Sequence, residues 1–178
     1  MGLWWAKGKE SITINLDTDV LTSLRTYSDN QKISLDALVN QILYDYVGWW
    51  VSAAKAGWVP IQKPLLIALA NALDEESLSK IASTIGKNTT KDFLLAMRGE
   101  YDAKELISFL KTRAKVAGFP YNEVEASDHI KFIMQHEMGR KWSQIFKSFY
   151  QSVFEDLKMA VNFDLTENSL IFNLKRAK

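Results

Sequence analysis

The sequence predicts an α+β chain: a short strand with two helices, then a helical segment, then a small β-α-β-β domain. Three observations predict it. Residues 11–16 read Ser-Ile-Thr-Ile-Asn-Leu, so Ile12, Ile14 and Leu16 fall on one face and Ser11, Thr13 and Asn15 on the other. Residues 18–47 then carry apolar side chains at helical spacing. Beyond residue 128 the period drops to two, rises to a helical repeat, and drops to two twice more.

Each element follows from its local chemistry. Val20, Leu21, Leu24 and Tyr27 mark the first helix; Leu35, Leu38, Val39, Ile42, Leu43, Tyr46 and Val47 mark the second. The run from Gly48 to Ala56 extends that helix, with Gly57 as C-cap and Pro60 as a break. Pro64 opens a helix through Leu65, Leu66, Leu69 and Leu73. Asp74 caps one through Leu78, Ile81, Ala82 and Ile85, with Gly86 beyond its end. Asn88 or Thr89 starts a third, stopped by Gly99. Asp102 and Glu105 form a capping-box pattern before Leu106, Phe109, Leu110 and Ala114. Ile130, Phe132 and Met134 alternate as a strand. Gly139 precedes an amphipathic helix with Trp142, Phe146, Phe149 and Phe154 on its apolar stripe. Val161, Phe163 and Leu165, the turn Thr166–Ser169, and Leu170, Phe172 and Leu174 form a hairpin. The expected divisions are 1–48, a strand and two helices behind an N-terminal arm; 49–60, a Trp-rich helical extension or linker; and 61–178, an α+β domain, helical over 61–118 and β-α-β-β over 128–175.

A single short strand leaves its backbone groups unpaired, and two short helices bury little. The first 48 residues therefore make sense as a dimer with two strands paired. In this they resemble the ribbon-helix-helix family, the Arc and MetJ class of DNA-binding proteins, over about residues 10–48. The resemblance implies a homodimer or higher homo-oligomer whose paired ribbon enters the major groove of double-stranded DNA. It implies base contacts from the outward strand residues Ser11, Thr13 and Asn15. It places DNA phosphate at the start of the second helix, at Ser34 and Leu35, with Lys32 beside it; Lys7 and Lys9 of the arm are further phosphate contacts. The sequence departs from the family in two places: Gln31-Lys32-Ile33 stands where the family often has a glycine, and the outer strand face has no Arg or Lys.

Composition narrows the function. The chain has 178 residues, 47% hydrophobic and 24% charged, with a net charge of +1, which is the make-up of an ordinary folded protein. Residues 1–58 carry five basic against six acidic side chains, whereas DNA affinity comes largely from neutralised phosphates. The absence of cysteine excludes disulfides, thiol catalysis and Cys-ligated metals. No signal peptide and no spanning helix is legible, so the chain reads as cytoplasmic, with no membrane partner. His129 and His136 are the only histidines. Seven residues apart along a strand, they lie roughly 20 Å from each other and cannot share one metal; a solvated or hydrogen-bonded histidine is the better reading of each. Lys104, Lys111 and Lys115 share a helix face near Arg113, and Arg140, Lys141 and Lys147 decorate the Trp142 helix. Solvated faces explain both groups, and anion binding is the alternative.

No catalytic residue, metal site or cofactor is expected, and the chain does not read as an enzyme. The first reading is a two-domain transcriptional regulator that binds DNA through the ribbon. Its C-terminal domain would sense a small molecule or protein effector, or drive oligomerisation. The second is a protein-interaction or assembly protein that uses the ribbon only to dimerise. The third is an antitoxin-like regulator.

Overall fold

Residues 18–31 satisfy the helical period and form α1 (Thr18–Gln31). Lys32 ends it in the left-handed region, at φ 55°, where its amide and that of Ile33 return to Asp29 and Ser28. A lysine thus fills a C-cap usually given to glycine. Ser34 caps α2 (Leu35–Asp45) by accepting the Ala37 amide at 3.1 Å. A π-helical turn, Tyr46–Trp50, and α3 (Val51–Lys55) continue it. Gly57 follows at φ 78°. This is a computed structural model; it describes residues 8, 10–125 and 129–175. The chain divides into two units, Met1–Gly57 and Trp58–Lys178.

The first unit corrects the ribbon-helix-helix expectation. Residues 10–17 adopt no regular secondary structure, and the strands of the described residues all lie between Tyr121 and Lys175. Ile12, Ile14 and Leu16 are exposed, Ile12 at 76%. Alternation is a local signal; a strand exists only when its backbone pairs, and nothing among the described residues pairs with this one. The α+β class with an N-terminal ribbon therefore gives way to a helical chain with one small antiparallel sheet. The helices of this unit bury Leu38, Trp49 and Ala53 and leave Val20, Tyr27, Ile42, Leu43 and Val47 exposed.

In the second unit, Pro64 sits in the first turn of α4 (Lys63–Asn71). Asp74 accepts the Ser77 amide at 2.8 Å and opens α5 (Glu75–Arg98). The helix break expected at Gly86 does not occur. A Cβ there would stand 2.5 Å from the Phe149 carbonyl oxygen and 3.0 Å from its Cα, so the glycine marks the place where two helix backbones meet. Asp102 caps α6 (Ala103–Val116) through the Glu105 amide at 2.8 Å.

β1 (Tyr121–Glu125) and β2 (His129–Gln135) form one hairpin, and β3 (Val161–Leu165) and β4 (Ser169–Lys175) another. The sheet order is β1-β2-β4-β3, antiparallel throughout, with Phe132 opposite Phe172 at the centre. The extra strand β1 makes the expected β-α-β-β domain a β-β-α-β-β one. α7 (Arg140–Asp156) joins the hairpins and packs on α5 and on the sheet. The core lies between: Phe132, Met134, Leu170, Phe172 and Leu174 from the sheet meet Phe146, Tyr150, Val153 and Phe154 from α7 and Leu106, Phe109 and Leu110 from α6.

Candidate ligand-binding site

The two ends of this sheet are finished differently. At the end where β2 stops and β4 starts, a polar network closes the layer. His136 is fully buried. The Met138 amide donates to its Nδ1 at 3.1 Å, so the ring proton is on Nε2, 2.8 Å from Ser143 Oγ. Ser143, also fully buried, donates in turn to the Thr166 carbonyl at 2.7 Å. Asn168 accepts the Gly139 amide on its side chain at 3.0 Å and the His136 amide on its carbonyl at 2.9 Å. Burial, followed by the charge of Lys63, depresses the His136 pKa to about 4. The imidazole is thus a neutral link between two hairpins and the start of α7.

That start is tied to α4 as well. Lys141 Nζ donates to the carbonyls of Asn71 at 3.1 Å and Leu73 at 2.6 Å. Trp142 Nε1 donates to the Leu66 carbonyl at 3.3 Å. A cation among the last carbonyls of a helix meets the negative end of its dipole.

At the opposite end, where His129 of β2 pairs with Lys175 of β4, a cavity of about 560 Å³ opens between the sheet and the first turns of α6. Ile107, Ile130, Met159 and Leu174 supply its apolar floor. Lys104, Lys111 and Lys175 stand around it, with Ser108 the uncharged polar side chain; among the described residues no carboxylate lines it. Lys111 forms an ion pair with Glu123 of β1. A second hollow, of about 400 Å³, is polar and lies between α5 and α7, with Ser79, Ser83, Ser148 and Ser152 in its wall.

Arg113 does not join the lysines of α6. Its guanidinium carbon lies 4.9 Å from the ring centroids of both Trp58 and Phe149, and Nη1 donates to the Tyr150 hydroxyl at 3.3 Å. Burial pushes the Tyr150 hydroxyl pKa up, against the lowering effect of Arg113. The arginine is a packing element of the aromatic layer.

The residues singled out by sequence are not gathered into one site. Ser11, Thr13 and Asn15 are exposed in the irregular segment. Lys32 and Ser34 cap α1 and α2, and Leu35 begins α2. Lys7 and Lys9 lie outside the described residues. Of the basic groups, Lys104 and Lys111 line the cavity, which the sequence signalled only as a charged helix face. The floor residues are not legible together in sequence, because α6, two strands and a loop bring them together.

No family model matches the chain, and no curated protein matches it. Among solved structures it is similar to H-NOX domains. One is a Cs H-NOX mutant with 4-cyano-L-phenylalanine, at 15% identity and TM-score 0.45, covering 89% of this chain and 94% of that one. Another, from work on heme redox potential and porphyrin distortion, has 18% identity and TM-score 0.45, covering 89% and 98%. A third, an oxygen-binding H-NOX domain related to soluble guanylate cyclases, has 17% identity and TM-score 0.41, covering 89% and 93%. At these values the likeness is remote, and the site is read from the chain's own residues. These neighbours are not ribbon-helix-helix proteins.

No strand forms among described residues 10–17, so the DNA-binding regulator and its double-stranded DNA partner have no structural basis. The homodimer, assembly-protein and antitoxin readings rest on the same ribbon and have no support without it. No described helix is long and apolar enough to cross a membrane.

Proposed function

We propose that residues 58–178 form a non-catalytic small-molecule-binding module, working in the cytoplasm, with the cavity beneath the start of α6 as its site. One observation carries this reading: an apolar-floored space of about 560 Å³, at the end of the sheet opposite the polar network. That volume lies within the range of roughly 300–1,000 Å³ of small-molecule sites. A ligand there would touch α6, β2, β4 and the segment after α7 at once. It would therefore favour the state in which they are docked, which is the differential contact a sensor needs.

Catalysis draws no support from the one buried Ser–His pair. Ser143 Oγ donates to a backbone carbonyl and receives the His136 Nε2 proton, so the imidazole is not placed as its base.

The neighbours' titles speak of heme and of oxygen binding; in this chain neither histidine is placed to ligate a heme in the cavity, and Met159 is, among the described residues, the lining side chain of a ligating type. Such a group takes an axial His, Cys, Met or Tyr ligand. The chain has no cysteine and two histidines. Both ring nitrogens of His136 are engaged, and neither histidine lines the cavity. Among the described residues no group of three or more His, Cys, Asp or Glu could hold a metal ion.

The reading is tested by titrating the full chain with Nile red, a neutral dye whose emission rises in apolar surroundings. One saturable site is expected, abolished by Ser108→Trp, which fills the cavity, with the far-UV spectrum and melting temperature retained. Absence of saturable binding, or binding indifferent to Ser108→Trp, overturns it.

A further inference from the structure

Helix α6 makes contacts of different kinds on its two faces. Ile107, Ser108 and Lys111 line the cavity. Phe109 and Arg113 follow Ile107 and Lys111 by two positions, which puts them about 200° away around a helix of about 3.6 residues per turn. On that far face the contacts converge on Trp58. The Arg113 guanidinium carbon lies 4.9 Å from the Trp58 ring centroid. Phe109 meets Phe93 of α5 edge-on at 5.4 Å, and Phe93 lies 6.1 Å from Trp58. Phe93 and Phe109 are buried, so this chain of rings is close-packed and transmits displacement. Trp58 is also the first residue of the second unit. Gly57 before it stands at φ 78° with open space beside it, and Val59 to Ile61 after it are exposed and irregular. Trp58 is therefore the held ring in an otherwise exposed connecting stretch.

Resting on the binding reading above, we infer that α6 couples its two faces: a guest in the cavity tightens the hold of Arg113 and Phe93 on Trp58, and so regulates how firmly the second unit grips its own beginning. The guest touches α6, β2, β4 and the segment after α7 together, and so favours α6 docked. The Arg113–Trp58 cation–π contact favours the same position, because the guanidinium rides on α6 while Phe93, beneath the indole, belongs to α5. The remaining partners of Arg113, the Phe149 ring at 4.9 Å and the Tyr150 hydroxyl at 3.3 Å, belong to α7. Displacement of α6 therefore moves the guanidinium against a frame built from α5 and α7. Two contacts that favour one state of one helix strengthen each other, and the effect runs in both directions.

The test uses the full chain labelled with 5-fluorotryptophan, its Trp58 and Trp142 fluorine resonances assigned through Trp58→Phe and Trp142→Phe. Saturating Nile red is expected to shift the Trp58 resonance and to leave that of Trp142, at the closed end of the sheet, in place. Arg113→Gln should abolish the Trp58 shift and weaken the dye by about threefold, as much as a single cation–π contact supplies. Lys141→Met, which loosens the opposite end, should leave dye affinity unchanged. A Trp58 resonance indifferent to saturating dye overturns the coupling while leaving the binding site intact. So does a shift that survives Arg113→Gln, an equal shift of Trp142, or a loss of affinity in Lys141→Met that matches Arg113→Gln. Failure of Nile red to bind the unaltered chain would instead remove the site on which the inference rests.

Discussion

Gly86 offers the sharpest quantitative test of the packing, because local propensity and tertiary contact predict opposite signs. It lies within α5, eleven residues from the Glu75 start. On helix propensity alone, Gly86→Ala should stabilise by about 1 kcal/mol. The structure demands otherwise. The new methyl would stand 2.5 Å from the Phe149 carbonyl oxygen, 2.8 Å from Ser152 Oγ and 3.0 Å from Phe149 Cα. The serine can rotate away, but the Phe149 oxygen and Cα are backbone. Restoring ordinary contact requires α5 and α7 to part by about 1 Å, a gap that forfeits a quarter to a half of each dispersion contact along the seam. Overpacking of this kind costs up to about 3 kcal/mol. Less the propensity gain, the net destabilisation is about 2 kcal/mol. With m near 2 kcal/mol/M in urea, the unfolding midpoint of the second unit should fall by about 1 M. Asn88→Ala, two residues on and exposed, is the control; it should raise the midpoint slightly. The assay follows urea unfolding of the full chain by the near-UV circular dichroism of its packed aromatic side chains. A midpoint raised by Gly86→Ala, in step with Asn88→Ala, would refute the close approach of the two backbones.

Three further predictions concern the closed end of the sheet. Ser143→Ala strips the buried His136 Nε2–H and the Thr166 carbonyl of their shared partner and should cost about 2 kcal/mol in urea unfolding. His136 has its pKa lowered from 6.5 to about 4 in the folded chain, so the unfolded chain takes up the proton first. The resulting stability is complete above about pH 6.5 and is lost as pH falls from there to about 4, with a slope of roughly 1.4 kcal/mol per pH unit. Unfolding measured between pH 7 and 4 should show that slope, and His136→Gln should remove it. Lys141→Met keeps the aliphatic stem but deletes the ammonium that meets the Asn71 and Leu73 carbonyls. It should cost about 1 kcal/mol, seen as about fivefold faster hydrogen exchange in the last turn of α4.

What the sequence revealed depended on whether the deciding partner was near in the chain. The β3–β4 hairpin was legible because Val161, Phe163, Leu165, Leu170, Phe172 and Leu174 alternate on both sides of a short polar turn. The Asp102 cap was legible because its acceptor and donor are three residues apart. β1 was not: Tyr121-Asn-Glu-Val-Glu is an edge strand, mostly exposed, and shows no apolar alternation. Gly86 was misread as a terminator because the reason for it lies on α7, some sixty residues later. Ile12, Ile14 and Leu16 carried a strand's pattern without a strand's pairing. At the cavity, Lys104 and Lys111 were visible as neighbours on a helix face, yet Ile130, Met159 and Leu174 are joined to them only by the fold.

The asymmetry of the sheet links these observations to the proposed site. At one end, the buried His136–Ser143 pair, with the Ser143 bond to the Thr166 carbonyl and the exposed Asn168 that accepts the Gly139 amide, ties both hairpins to the start of α7, and such satisfied networks are costly to open. At the other end, α6 rests over apolar side chains beside a cavity. Local opening should therefore be cheapest where α6 meets the ends of β2 and β4. A guest seated there would oppose that opening, while the locked end supplies a fixed frame against which α6 can move. The same division explains why the histidines are poor candidates for chemistry: His136 belongs to the frame, and the surface available to a ligand is built from lysine, isoleucine, leucine and methionine.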